Sequence, residues 1–380
     1  MRRIVQYLVL AAVLVGLPLG CAWIGGYDEV LADVAKIAPQ CERWVDDPTR
    51  LWSVKCPFSW WVFAAMGVFV AAVVGPFVRR FIKACFHCSP SPSTFTFPWW
   101  GWAGVAVMLA GWVLAWTRFG WFATFQRYTY IPQWAGFIVT VNALCMRRCG
   151  RSPLTDRTKP YLLLFPASSF FWWFFEYLNR YVWNWFYVGT VDDVSEAIPP
   201  LKYIVISSVN FASVLPGVTA VAALLGTFRA FDERAYAGMA KVNIRSGVSV
   251  VTLAALTLLG LAGIVFFPSF AYPLLWISPL MGFVLVQMMF KEKCVLDVLA
   301  TGNWAIVFRF ACAALVCGLV WETWNYYSLA KWIYNVPWVS RWHVWEMPIL
   351  GFAGYLPFGM ECAAIAHWIS PKLVEPDFRR

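Results

Sequence analysis

The sequence predicts an all-α fold, a polytopic integral membrane helical bundle of about ten transmembrane helices. Three observations carry that prediction. Apolar runs of about 20 residues, the length that spans a bilayer as a helix, recur along the whole of the 380-residue chain. Apolar residues make up 61% of it and charged residues only 13%, against about 25% charged in soluble domains. The Lys and Arg side chains gather in short runs between the apolar segments, the positive-inside pattern of multi-pass proteins. That distribution accounts for the net charge of +10 without a nucleic-acid partner. No polar stretch is long enough to be a separate soluble catalytic domain.

Ten spans are expected near 4–24, 58–78, 99–117, 132–147, 160–182, 202–226, 246–267, 272–290, 303–328 and 346–369. The first follows Met1, Arg2 and Arg3. It reads as an uncleaved helix, because Pro18 and Leu19 suit signal cleavage before Cys21 poorly. The outer loop 25–57 is acidic, with a short helix expected from Asp28 to Ile37 and a disulfide between Cys41 and Cys56 in an oxidising compartment. The segments on the side of Met1 hold 19 of the 30 Lys and Arg, so both termini are placed in the cytoplasm of a bacterial inner membrane protein. The 25 Trp divide between an interfacial belt and the bundle interior.

Two spans share a polar signature. Trp173, Glu176 and Asn179 are followed by Trp185 and Tyr187. Trp321, Glu322 and Asn325 are followed by Trp332 and Tyr334. A charged side chain at mid-membrane costs about 2.5–3.5 kcal/mol, so its repetition marks a site. Phe211 to Pro216 matches Phe352 to Pro357, and Tyr130 to Trp134 loosely resembles Tyr272 to Trp276. The offsets of about 141 to 146 residues imply two parallel four-helix repeats. The chain then divides into an N-terminal two-helix unit at 1–98, repeat 1 at 99–227, and repeat 2 with its tail at 228–380.

Glu and Asn three residues apart share one helix face. Glu176, Glu322 and Glu361 are therefore the candidate catalytic, proton-handling groups. Asn179, Asn325, Glu346, Arg309, Trp173 and Trp321 are the candidate ligand contacts. Pro357 is expected to kink the tenth span and free a carbonyl, and Arg309 to meet Glu361 or a carbonyl. Purely structural hydrogen bonding between helices is the competing reading.

No cofactor is expected. Three His (His87, His343, His367) are too few for paired haem ligation, and neither a glycine-rich phosphate loop nor paired Asp-rich motifs occur. Cys85, Cys88, Cys145 and Cys149 have spacings that allow a zinc site if the two pairs meet; free thiols are the alternative.

The run from Trp345 and Glu346 through Pro348, Gly351, Gly354, Pro357 and Gly359 to Glu361, together with Trp321, Glu322 and Asn325, resembles an uncharacterised bacterial family of polytopic membrane proteins. The resemblance covers roughly 130–370 and implies no mechanism. A more remote architectural similarity is to membrane lycopene cyclases, which use acidic residues on duplicated helical units to protonate an isoprenoid double bond. Their adjacent acidic pair has no counterpart among the isolated Glu176, Glu322, Glu346 and Glu361.

The resulting expectation is a pocket that binds, and modifies, a lipid-like or isoprenoid molecule. A proton-coupled carrier and a structural subunit of a larger complex stay open as alternatives. Membrane lipids are the expected partners, with a membrane-protein partner or a second copy of the chain as further candidates.

Overall fold

The computed structural model describes residues 2–35, 57–87, 95–190 and 199–375. It is 77% helical, in keeping with the all-α expectation. Among the described residues seven helices are long and apolar enough to cross a membrane, or up to eight if the bent pair Pro268–Trp276 and Ser278–Met289 is one span. The principal helices are α1 (Arg2–Ile24), α2 (Asp28–Ala35), α3 (Trp60–His87), α4 (Trp99–Trp116), α5 (Tyr130–Cys149) and α6 (Thr158–Val182). They continue with α7 (Pro200–Phe211), α8 (Val214–Gly226), α9 (Gly247–Phe266), α10 (Ser278–Met289), α11 (Ala305–Tyr326) and α12 (Tyr355–Ile369).

The helices α5 and α6 lie where the fourth and fifth spans are expected, yet neither is among the seven apolar ones. Their polar side chains lower the mean hydropathy and are turned inward. Gln133, Thr140 and Asn142 of α5 and Ser168, Glu176, Asn179 and Arg180 of α6 are all buried. Neighbouring helices partner some of them, Tyr161 meeting Asn142 at 3.0 Å and the Phe211 carbonyl meeting Ser168, as polar residues do between membrane helices.

Close approach makes the α4–α5 contact. A Cβ on Gly136 would meet the backbone of Gly104 and Met108, so the small residue lets the two backbones touch as small-residue motifs do in membranes.

Two of the expected spans, Leu201–Gly226 and Ile349–Ile369, are continuous but not α-helical throughout. The α-helix of the sixth is interrupted at Ala212 and Ser213, between α7 and α8. Ser168 of α6 bridges the gap, donating to the Phe211 carbonyl at 2.5 Å and accepting from the Leu215 amide at 3.0 Å. The tenth begins as strand and 3-10 turn, and its α-helix starts only at Tyr355. The expectation that Pro357 kinks this helix is therefore corrected. Pro357, like Pro216 of α8, falls in a first turn, where proline's missing N–H has no intrahelical partner to lose.

The first helix is integrated into the bundle. A π-turn at Ala12–Gly16 interrupts α1, and the Val15 carbonyl accepts from the Tyr177 hydroxyl at 2.7 Å. Gln6 is buried and donates to Glu292 at 2.8 Å. The helix expected from Asp28 is present as α2. Cys41 and Cys56 lie outside the described residues.

The helix α3 stands apart. None of its apolar stretch is buried, and it leans on the body at its two ends. At one end Phe77 stacks on Phe308 with centroids 5.6 Å apart, and Arg80 donates to the carbonyls of Ala235 and Ala237. At the other, Phe63 meets Trp342 at 5.1 Å.

One loop carries a pH-dependent contact. Asp297, in the turn Val295–Thr301, pairs with Arg245 at 2.8 Å. Partial burial works against its charge, but the Arg245 guanidinium and the Cys294 amide more than offset that and hold the carboxyl below its ordinary value of 3.8. A lowered folded-state value stabilises above the unfolded one and is lost as pH falls through the folded one. Asp297→Asn is therefore expected to be less stable than wild type at pH 7. Thermal unfolding at pH 7 and pH 3 should show the difference shrinking in acid.

Candidate functional site

The two Glu-Asn motifs build the same small structure twice. After α6 the chain forms strand β1 (Trp185–Val188), and after α11 strand β2 (Lys331–Tyr334). Asn179 holds the first strand by its backbone. Its Nδ2 donates to the Trp185 carbonyl at 2.8 Å, while its Oδ1 accepts from the Asn184 amide at 2.8 Å. Asn325 holds the second in the same way, donating to the Trp332 carbonyl at 2.7 Å and accepting from its amide at 2.8 Å. A side-chain amide offers one donor and one acceptor on the same side, which matches a strand residue's own pair.

The held strands deliver donors to the carboxyls. Glu176 Oε1 accepts from Trp185 Nε1 at 3.0 Å, Tyr187 OH at 2.6 Å and Trp172 Nε1 at 2.9 Å. Glu322 Oε1 accepts from Trp332 Nε1 at 3.4 Å, Tyr334 OH at 2.6 Å and Tyr355 OH at 2.9 Å. Glu176 is 3% exposed and Glu322 fully buried, so these donors are their replacement for water. The second oxygen of Glu322 is buried without a partner.

The third donor comes from different places. Trp172 lies one turn before Glu176. The corresponding position before Glu322 is Gly318. A Cβ there would strike the Tyr355 ring, so the missing side chain opens the space through which Tyr355 of α12 reaches the carboxyl. By the Phe211–Phe352 correspondence, the counterpart of Tyr355 is Val214, an aliphatic residue with no donor. Large and small residues have exchanged places between the two motifs, and each Glu keeps three donors.

The strands pair with each other. They run antiparallel, with Trp185 opposite Tyr334 and Tyr187 opposite Trp332. Alternation along a strand puts these four rings on one face and buries Phe186 and Ile333 on the other. All four rings border a cavity of about 1070 Å³. Trp172, Trp276, Phe358, Trp321 and Tyr355 continue its wall. Phe358 is the hub, with ring centroids 5.8 Å from Trp172, 5.7 Å from Trp276 and 6.4 Å from Trp321. The opposite wall is the face of α3 from Met66 to Phe81, about 22 Å long at 1.5 Å per residue.

The expected site residues separate into groups. Glu176, Asn179, Glu322 and Asn325 come together through the strand pair. No Asp or Glu lines the cavity among the described residues; Glu176 and Glu322 stand behind the Trp and Tyr that do. Trp321 lines the cavity, whereas Trp173 packs on α7 and donates to Ser208 Oγ at 2.9 Å. Glu346 forms an ion pair with Lys331, itself at the cavity's edge. Glu361 is buried with neither oxygen hydrogen-bonded. Arg309 does not meet it; its guanidinium donates to the Val374 carbonyl and pins the segment after α12. Tyr355, Trp172, Trp276 and the α3 face are contributors the sequence does not single out.

Among the described residues no group of three His, Cys, Asp or Glu is placed to hold a metal. Cys145 is buried against α8 and Cys85 is exposed on α3; Cys88 lies outside the described residues. Comparison with protein-family models, curated proteins and solved structures gives no match.

Replacing Asn179 or Asn325 with Ala orphans a buried strand amide and carbonyl, at about 1–3 kcal/mol per group. Each variant is expected to unfold at a lower temperature than wild type, with a red-shifted Trp emission as Trp185 or Trp332 loosens. Unchanged emission and stability would contradict the role given to these amides.

Proposed function

We propose that this is a multi-pass membrane protein that binds a chain-bearing, lipid-like or isoprenoid molecule in the cavity between α3 and the paired strands. The observation that carries the reading is the cavity itself. It is about 1070 Å³, walled by aromatic and aliphatic side chains, and bounded on one side by a helix that packs only at its ends. Apolar walls of that extent favour an apolar occupant over water.

The same reading takes the bundle as ten spans in two parallel repeats, with both termini cytoplasmic and the paired strands at the outer face. Three features support it. The Glu, Asn, Trp and Tyr of each motif occupy corresponding places. Both α6 and α11 lead directly into one of the paired strands. The antiparallel pairing of β1 with β2 is what a local twofold axis through Phe186 and Ile333 generates.

In this account Glu176 and Glu322 are positioning residues. They fix the orientation of the rings that touch the ligand. Binding is favoured over chemical modification, since no carboxyl borders the cavity among the described residues.

Lipid extraction from protein purified in mild detergent, followed by mass spectrometry, tests the proposal. A long-chain molecule is expected at near-stoichiometric amount. It should fall sharply in Leu315→Trp, which fills the cavity from α11. Wild-type protein free of such a molecule, or equal retention by the filled variant, would contradict it.

A further inference from the structure

The cavity is amphipathic along its length, and the polarity is not random. Its α3 wall is wholly apolar, through Val70, Val73, Val74 and Phe77. Its opposite wall carries a polar stripe on one face of α7: Lys202, Ser207 and Asn210, about 12 Å from first to last at 1.5 Å per residue. At the end nearest the paired strands, Arg127, Lys202 and Lys331 all border it. No acidic side chain does so among the described residues. Lys331 is neutralised by Glu346 and Arg127 donates to the Gly189 carbonyl at 3.0 Å, so both are held in place. Lys202 is exposed and forms no ion pair among the described residues.

We propose that the occupant is a glycerophospholipid with an anionic phosphate, drawn from the surrounding membrane. Its phosphate lies among Arg127, Lys202 and Lys331, and one acyl chain runs inward along α3. Charge-assisted contacts to phosphate suit Arg and Lys. The wall of α3, about 22 Å long, exceeds the half-thickness of a bilayer core, about 15 Å, and accommodates one chain. This inference rests on the lipid-binding reading and adds the headgroup to it.

The full chain in detergent, offered phosphatidylglycerol or a diacylglycerol with the same acyl chains, gives the test by native mass spectrometry. Wild type is expected to retain phosphatidylglycerol about tenfold better. Lys202→Gln should cut retention of phosphatidylglycerol several-fold and leave diacylglycerol unchanged. Lys159→Gln, an exposed lysine at the start of α6 and about 20 Å along that helix from Trp172, should change neither. Equal retention of the two lipids by wild type, or equal losses in both Lys variants, would overturn the headgroup assignment while leaving lipid binding intact. Retention of neither lipid by wild type would overturn both.

Discussion

Glu322→Ala is expected to be among the most destabilising single substitutions in the chain, at about 3–5 kcal/mol. It removes the acceptor shared by Trp332, Tyr334 and Tyr355, and leaves the Tyr334 and Tyr355 hydroxyls without their carboxyl, while Trp332 Nε1 keeps Tyr334 OH at 2.7 Å. Each such group is unfavourable by about 1–3 kcal/mol. Glu322→Gln keeps an oxygen where the three donors converge, so a smaller loss of about 1–2 kcal/mol is expected. Glu176→Ala and Glu176→Gln should follow the same order. Thermal unfolding in one detergent, read by Trp emission, ranks the four variants. An Ala variant within about 0.5 kcal/mol of wild type, the range of an ordinary surface change, would contradict the role given to these carboxyls.

Gly318→Trp is the second large effect. Even a methyl group at Gly318 would collide with the Tyr355 ring. An indole there displaces Tyr355 from Glu322 and leaves its hydroxyl buried and unpaired. Overpacking alone is destabilising by about 1–3 kcal/mol. Combining it with Tyr355→Val rebuilds the arrangement around Glu176, in which a Trp one turn earlier supplies the third donor and an aliphatic residue stands on the facing helix. The double variant is therefore expected to be more stable than Gly318→Trp alone. Coupling between contacting residues runs to about 0.5–3 kcal/mol, and a favourable value in that range is expected from the double-mutant cycle. Additive losses would show that the two sites are not interchangeable.

The part of this site that sequence reasoning reaches is the part that repeats locally. Glu176 and Asn179 share a helix face, and so do Glu322 and Asn325. The Trp and Tyr that follow at strand spacing are visible in both motifs, although only the contacts show that they bind the carboxyls. Tyr355 is invisible by that route, since it replaces Trp172 from a different helix and depends on the absence of a side chain at Gly318. The cavity is hidden for a related reason. Its α3 wall is a featureless apolar run whose failure to pack along its middle is a tertiary property. Pro357 misleads because the chain ahead of it is strand and 3-10 turn rather than helix, which puts the proline at a helix start. Hydropathy alone undercounts α5 and α6, whose polar residues are turned into the bundle.

Cryo-electron microscopy of the protein in lipid nanodiscs addresses the central claim most directly. The account expects elongated density in the cavity, below the face formed by Trp185, Tyr187, Trp332 and Tyr334 and alongside Met66 to Phe81 of α3. Close packing of α3 against the Trp276 and Phe358 wall, with no room for a ligand between them, would contradict it.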